Sequence, residues 1–117
     1  MADPIQQKVA IHFASDDILS QKKAIAQINN ILNALKDVAI ELVIHSDGII
    51  LLSKNSHFKS HLEDLNTKGV VILACNNTLK AKNIDPAALP DFVKVVPSAL
   101  VHLIVRQSEG WSYIKAS

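Results

Sequence analysis

The feature that most constrains this chain is a change of hydrophobic period that recurs along it. Residues 8–14 (KVAIHFA) form a short apolar, β-branched run that fits a strand. From Ile18 the spacing switches: Ile18, Ile25, Ile28, Ile31, Leu32 and Leu35 recur every three or four residues, with Lys22, Lys23, Gln27, Asn30, Asn33 and Lys36 between them. That stripe predicts an amphipathic helix over about residues 17–36, with Ser15, Asp16 and Asp17 as its cap and first-turn carboxylates.

The same switch repeats downstream. Residues 39–45 (AIELVIH) read as a second strand, and Ser46-Asp47-Gly48 turns the chain into a short helical turn over 49–53. Ser56 is placed to cap a helix over 57–68 with Phe58, Leu62 and Leu65 inward, and Gly69 stands where a helix C-cap needs positive φ. Residues 70–75 (VVILAC) are the most uniformly apolar run, as a central strand buried on both faces requires. A helix start at Asn76-Asn77-Thr78-Leu79-Lys80 and a turn at Asp85-Pro86 lead to a fourth strand over 93–96. Pro97-Ser98 introduces a last helix over 99–109, closed by Gly110, before a short fifth strand over 111–115 whose direction stays open. Alternation of this kind predicts an α/β fold with a mostly parallel sheet and helices on both faces.

The chain has 117 residues and no repeat, low-complexity run or linker, so one domain over 1–117 is expected. Twelve basic against eleven acidic residues, scattered rather than striped, give no footprint for nucleic acid. No apolar run approaches the ~20 residues of a bilayer-crossing helix, so no membrane partner is expected. The opening Met-Ala-Asp-Pro-Ile carries an acid where a secretory leader would be basic, so the cytoplasm is the expected location. A single cysteine excludes an internal disulfide and a CxxC redox pair.

Ligands of open parallel sheets sit beyond the carboxyl ends of the strands. Residues expected there are Ser15 and Asp16, His45 with Ser46 and Asp47, Cys75 with Asn76 and Asn77, and Pro97 with Ser98. With Gly48, Gly69 and Gly110 the only glycines, dinucleotide and P-loop signatures are absent, and so is the Gly-x-Ser-x-Gly elbow. The central position that a phospho-acceptor aspartate would take holds Cys75 instead. No cofactor is expected.

Cys75 is the most informative residue. A strand end followed at once by a helix aims backbone N–H groups and a positive dipole at its sulfur, which favours thiolate. A helix terminus is worth about 0.3–1 kcal/mol, less than one pKa unit, so further donors are needed. Asn77, Thr78 and Lys80 are the candidates. The competing reading is a buried, inert cysteine behind apolar VVILA, and residue chemistry alone weighs toward it. His57 and His61 have the spacing of a two-ligand metal face without the intervening Glu of His-Glu-x-x-His, and read as a solvated face. His12 and His102 read as satisfied core or interface residues, whereas His45 is placed to meet a ligand. The last helix is apolar nearly all round, which is best explained by a second buried surface and hence self-association; burial of a lone helix in a domain this small is the alternative.

Two strings are distinctive: Ala74-Cys75-Asn76-Asn77-Thr78-Leu79-Lys80, and Arg106-Gln107-Ser108-Glu109-Gly110-Trp111-Ser112-Tyr113-Ile114-Lys115. With the opening from Lys8 to Phe13, Asn29-Asn30-Ile31-Leu32 and Val95-Val96-Pro97-Ser98, they resemble the small single-domain DsrE/DsrF-like proteins over about residues 8–115. The resemblance implies a three-layer α/β/α fold around a mostly parallel five-stranded sheet in a flavodoxin-like layout. It implies assembly into trimers or hexamers and a cysteine, here Cys75, that carries sulfur as a persulfide between a donor and an acceptor protein. Asn76, Asn77, Thr78 and Lys80, with Ser15, Asp16, His45 and Ser98 along the same edge, are then the expected binding residues. The alternative is a non-catalytic ligand-binding or assembly module with Cys75 lining its pocket.

Overall fold

A computed structural model describes residues 6–116; the opening Met-Ala-Asp-Pro-Ile, and with it the leader reading, lies outside them. Strand β1 (Gln7–Phe13) is followed by helix α1 (Ile18–Ala34), β2 (Val38–Ile44), a 3-10 segment (Ser46–Leu52) and α2 (Lys59–Thr67). Then come β3 (Val71–Cys75), α3 (Asn76–Ala81), a single 3-10 turn (Pro86–Ala88), β4 (Val93–Val96), α4 (Ala99–Ser108) and β5 (Ser112–Lys115). The strands form one sheet in the order β4-β3-β2-β1-β5. Every pairing is parallel, including β5 on β1, which answers the direction left open by sequence. Position two in the sheet from one edge, rather than its centre, belongs to β3; the centre is β2.

Local signals place most boundaries. The Asp17 side chain caps α1 by accepting the Ser20 N–H at 2.9 Å, and Ser15 Oγ accepts the Asp17 N–H. No acid lies in the first helical turn, so Asp16 and Asp17 precede the helix instead of entering it. Ser56 does not cap α2; its hydroxyl accepts the Phe58 N–H inside a turn, and the helix begins two residues later than expected. Gly69 and Gly110 adopt φ 99° and 92° after α2 and α4, and the following residues Val70 and Trp111 donate back to Leu65 and Arg106. These are Schellman endings, which need a residue that tolerates positive φ.

The two sides of the sheet differ. One side packs Val9, Ile11, Phe13, Leu42, Ile44 and Ile72 against α1, α2 and the longer 3-10 segment through Ile25, Ile28, Leu51, Leu62 and Leu65. Ile18, at the start of the predicted apolar stripe, is exposed, as is Leu19 beside it, because the buried face of α1 begins at Gln21. On the other side α4 lies alone, setting Ala99 and Leu103 on Ala10, Val43, Leu73 and Cys75. Its remaining apolar side chains, Leu100, Val101, Ile104 and Val105, stay exposed, Ile104 to 65%. A lone helix buried within the domain therefore does not account for the apolar excess of that segment. Among the described residues no helix is long and apolar enough to cross a membrane.

Candidate functional site

Cys75 ends β3 and is the N-cap residue of α3, and its side chain makes no capping hydrogen bond to that helix. The hydrogen bond to its sulfur comes from the start of α4. The Ala99 N–H, first in α4, donates to Cys75 Sγ at 3.3 Å. Ser98 makes this possible by capping α4 elsewhere, its Oγ accepting the Val101 N–H at 3.3 Å. Burial pushes the thiol up, but the amides of Ala99, Thr78 and Asn77 and the Thr78 hydroxyl outweigh it and hold it below its ordinary value. The residue is only 5% exposed, packed with Ala99, Leu103 and Val96. The chain thus supplies the donors that a thiolate requires while covering the sulfur.

Next to this centre lies a hydrogen-bonded line of side chains and one backbone amide. Thr78 Oγ1 accepts the Ser46 N–H at 3.0 Å, and Ser46 Oγ meets His45 Nδ1 at 2.9 Å. His45 Nε2 bonds His12 Nε2, the two rings stacking with centroids 4.6 Å apart, and His12 Nδ1 bonds the Tyr113 hydroxyl at 2.8 Å. Burial lowers both imidazoles, His12 further through the charges of His45 and Lys115. His45 and His12 are therefore partners of each other; His12 is satisfied, as sequence implied, with a partner that sequence could not name.

The other sequence candidates divide. Asn77 acts through its amide, Asn76 is half-buried beside it, and Lys80 is exposed and is not among the groups acting on the sulfur. Asp16 belongs to a separate cleft of about 540 Å³, with Asp47, Lys82, Ile49, Ile50 and Leu89 in its wall and an Asp47–Lys82 ion pair at 3.1 Å. Ser15 serves the turn before α1. Cys75 does not line that cleft. His57 and His61 flank the Phe58 ring, and among the described residues no three His, Cys, Asp or Glu side chains gather as a metal site.

Sequence reading missed Glu41. It is 6% exposed on the α4 side of β2, receives Nε and Nη2 of Arg106 at 2.9 and 2.8 Å, and contacts His102 Nε2 at 2.7 Å. Arg106 also reaches Glu109 and lies over the Trp111 ring. An acid inside the apolar run AIELVIH, together with a histidine and an arginine four apart in the last helix, was the available signal.

The sequence profile of the DsrE/DsrF-like family matches residues 7–116. The chain belongs to that family. A protein of unknown function from Methanobacterium thermoautotrophicum shares 34% identity with this DsrE/DsrF-like chain at TM-score 0.92, over 94% of this chain and 99% of the other. The ychN protein from E. coli has the same fold at 16% identity and TM-score 0.79, covering 95% and 99%. A conserved protein of unknown function from Bacteroides thetaiotaomicron does so at 14% and 0.69, covering 93% and 94%. No curated protein matches the chain.

Proposed function

We propose that this DsrE/DsrF-like chain is a sulfur carrier that holds sulfur as a persulfide on Cys75. The observation that carries the reading is the Ala99 amide at the start of α4 donating to the Cys75 sulfur at 3.3 Å, on a thiol held low despite burial. In the transfer step the Cys75 thiolate attacks the outer sulfur of a donor R–S–SH. A bond forms between Sγ and that sulfur, the donor's S–S bond breaks, and R–S⁻ leaves, so Cys75–S–SH and R–S⁻ balance thiolate and donor. An acceptor thiolate then removes the outer sulfur by the same exchange and regenerates Cys75. The amides of Ala99, Asn77 and Thr78 stabilise the anion before and after transfer. A shallow apolar groove of about 290 Å³ along Val96, Pro97, Ser98, Val101 and Val105 starts at the cross-strand partner of Cys75 and offers the approach.

The donor and acceptor are proteins or small thiols of a reducing cytoplasm in this reading, and copies of the chain meet through the exposed Leu100 and Ile104 of α4, outside the Val101–Val105 groove. Incubating the protein with a polysulfide donor adds the mass of one sulfur atom to wild type and nothing to Cys75→Ser. No mass gain, with alkylation as slow as for a buried neutral thiol, overturns the carrier.

The cleft at Asp16, Asp47 and Lys82 supports a second reading, a small-ligand-binding module independent of the cysteine. A thermal-shift panel of nucleotides and sulfur compounds separates the two: a module keeps its responses in Cys75→Ser.

A further inference from the structure

The cleft at Asp16 and Asp47 is one half of a longer hollow. A second lobe of about 350 Å³ shares Asp16, Ile50, Ser53 and Asn55 with it and reaches Ile18 and Gln21. Both lobes lie at the carboxyl edge of the sheet, beside the residues that follow β1 and β2. Gly48 brings their walls together. A Cβ there would stand 2.9 Å from the Ala14 Cα, so any side chain would push the 3-10 segment off the end of β1.

Gln21 is the anomaly of the second lobe. It lies on the buried face of α1 and is 4% exposed, yet its carboxamide makes no hydrogen bond to another described residue. A buried amide without a partner costs free energy, and native chains rarely leave one so. Among the described residues no side-chain nitrogen or oxygen is both sealed from solvent and unpaired, so this amide opens into the hollow that it lines.

The chemistry of the walls names a ligand. Glutamine offers a donor beside an acceptor in one plane, which matches the exocyclic amine and N7 of adenine. Ile18 and Ile50, both largely exposed, line the same lobe and give it apolar surface suited to the faces of a flat ring. Asp16 stands where the lobes join, and its carboxylate has no hydrogen bond or ion pair to a described residue. A carboxylate so placed accepts ribose hydroxyls. In the first lobe Asp16 and Asp47 face Lys54 and Lys82, so no net charge is there to draw a phosphate. We propose that the two lobes bind an uncharged adenine nucleoside, its base on the Gln21 amide and its ribose toward Asp16. This rests on the reading of the cleft as a ligand-binding module, names what the module takes, and does not involve Cys75.

Adenosine is the probe, titrated into the full chain by calorimetry and mapped by NMR shifts of backbone amides. It perturbs residues 16–21 and 50–56, in wild type and in Cys75→Ser alike. Purine riboside, which lacks the exocyclic amine, binds about tenfold more weakly, because the carboxamide oxygen is left without its donor. AMP binds no more tightly than adenosine. Gln21→Leu is close in volume and loses the discrimination, binding both nucleosides at the level of purine riboside on wild type. Its unbound form melts at a higher temperature than wild type, since an unpaired buried amide has been replaced by an apolar side chain. Equal binding of adenosine and purine riboside by wild type overturns the nucleoside and leaves the module standing, as does AMP binding more tightly than adenosine. Adenosine that moves no resonance overturns the nucleoside as well; shifts at the same residues from a sulfur compound would then keep the module, and none would remove it. A lower melting temperature for unbound Gln21→Leu overturns the proposal by showing that the amide serves the fold.

Discussion

The two sides of the sheet are built on different physics. Against α1 and α2 the sheet buries a continuous cluster of Ile, Leu, Val and Phe, where any volume-conserving arrangement of apolar residues would hold. Beneath α4 the apolar cluster is small and is bordered by Cys75, Glu41, His12 and His45, each of which needs a particular partner. The larger aliphatic cluster lies on the first side and the groups that need specific partners lie on the second. An aliphatic core tolerates no reactive group, while a thinly covered face can hold polar groups at the edge of water.

This contrast can be broken most severely on the packed side. Ile28→Ala empties a fully buried site and lowers unfolding free energy by about 3 kcal/mol in a denaturant titration. In alkylation by iodoacetamide followed against pH, the Cys75 midpoint stays at its wild-type value, because α1 lies across the sheet from the sulfur. A midpoint that moves with Ile28→Ala would mean the two sides are not separate.

A smaller loss is expected beneath α4. Arg106→Ala removes both guanidinium bonds from the buried Glu41 carboxylate and costs about 2–3 kcal/mol at neutral pH. Burial pushes the Glu41 carboxyl up, yet Arg106 and His102 hold it below its ordinary value. A carboxyl lowered on folding stabilises above its unfolded value, about 4.3, and loses that contribution as pH falls through the folded value beneath it. Wild type therefore shows an acid loss of stability below about pH 4 that is smaller in Arg106→Ala. Equal acid losses in the two proteins would dismiss Glu41 as its source.

The smallest effect on folding belongs to the outer surface of α4. Ile104→Glu leaves the stability of the chain within about 0.5 kcal/mol, since the side chain is already in water. In sedimentation, however, it shifts any assembly of copies to smaller species. An unchanged size distribution in a wild type that associates would move the contact to another surface.

Much of the architecture was legible because hydrophobic period is local. The strand runs, the stripe from Ile25 to Leu32, the positive-φ glycines and the Asp17 cap each follow from residues within one or two turns of each other. Cys75 at a strand end before a helix was legible for the same reason. What needed the tertiary structure were the partners. Cys75 meets the Ala99 amide 24 residues away, His12 meets His45 across 33, and Glu41 meets Arg106 across 65. Those pairings depend on strand order, register and the side on which α4 lies, quantities set by the summed packing of the whole chain and visible in no single window of it.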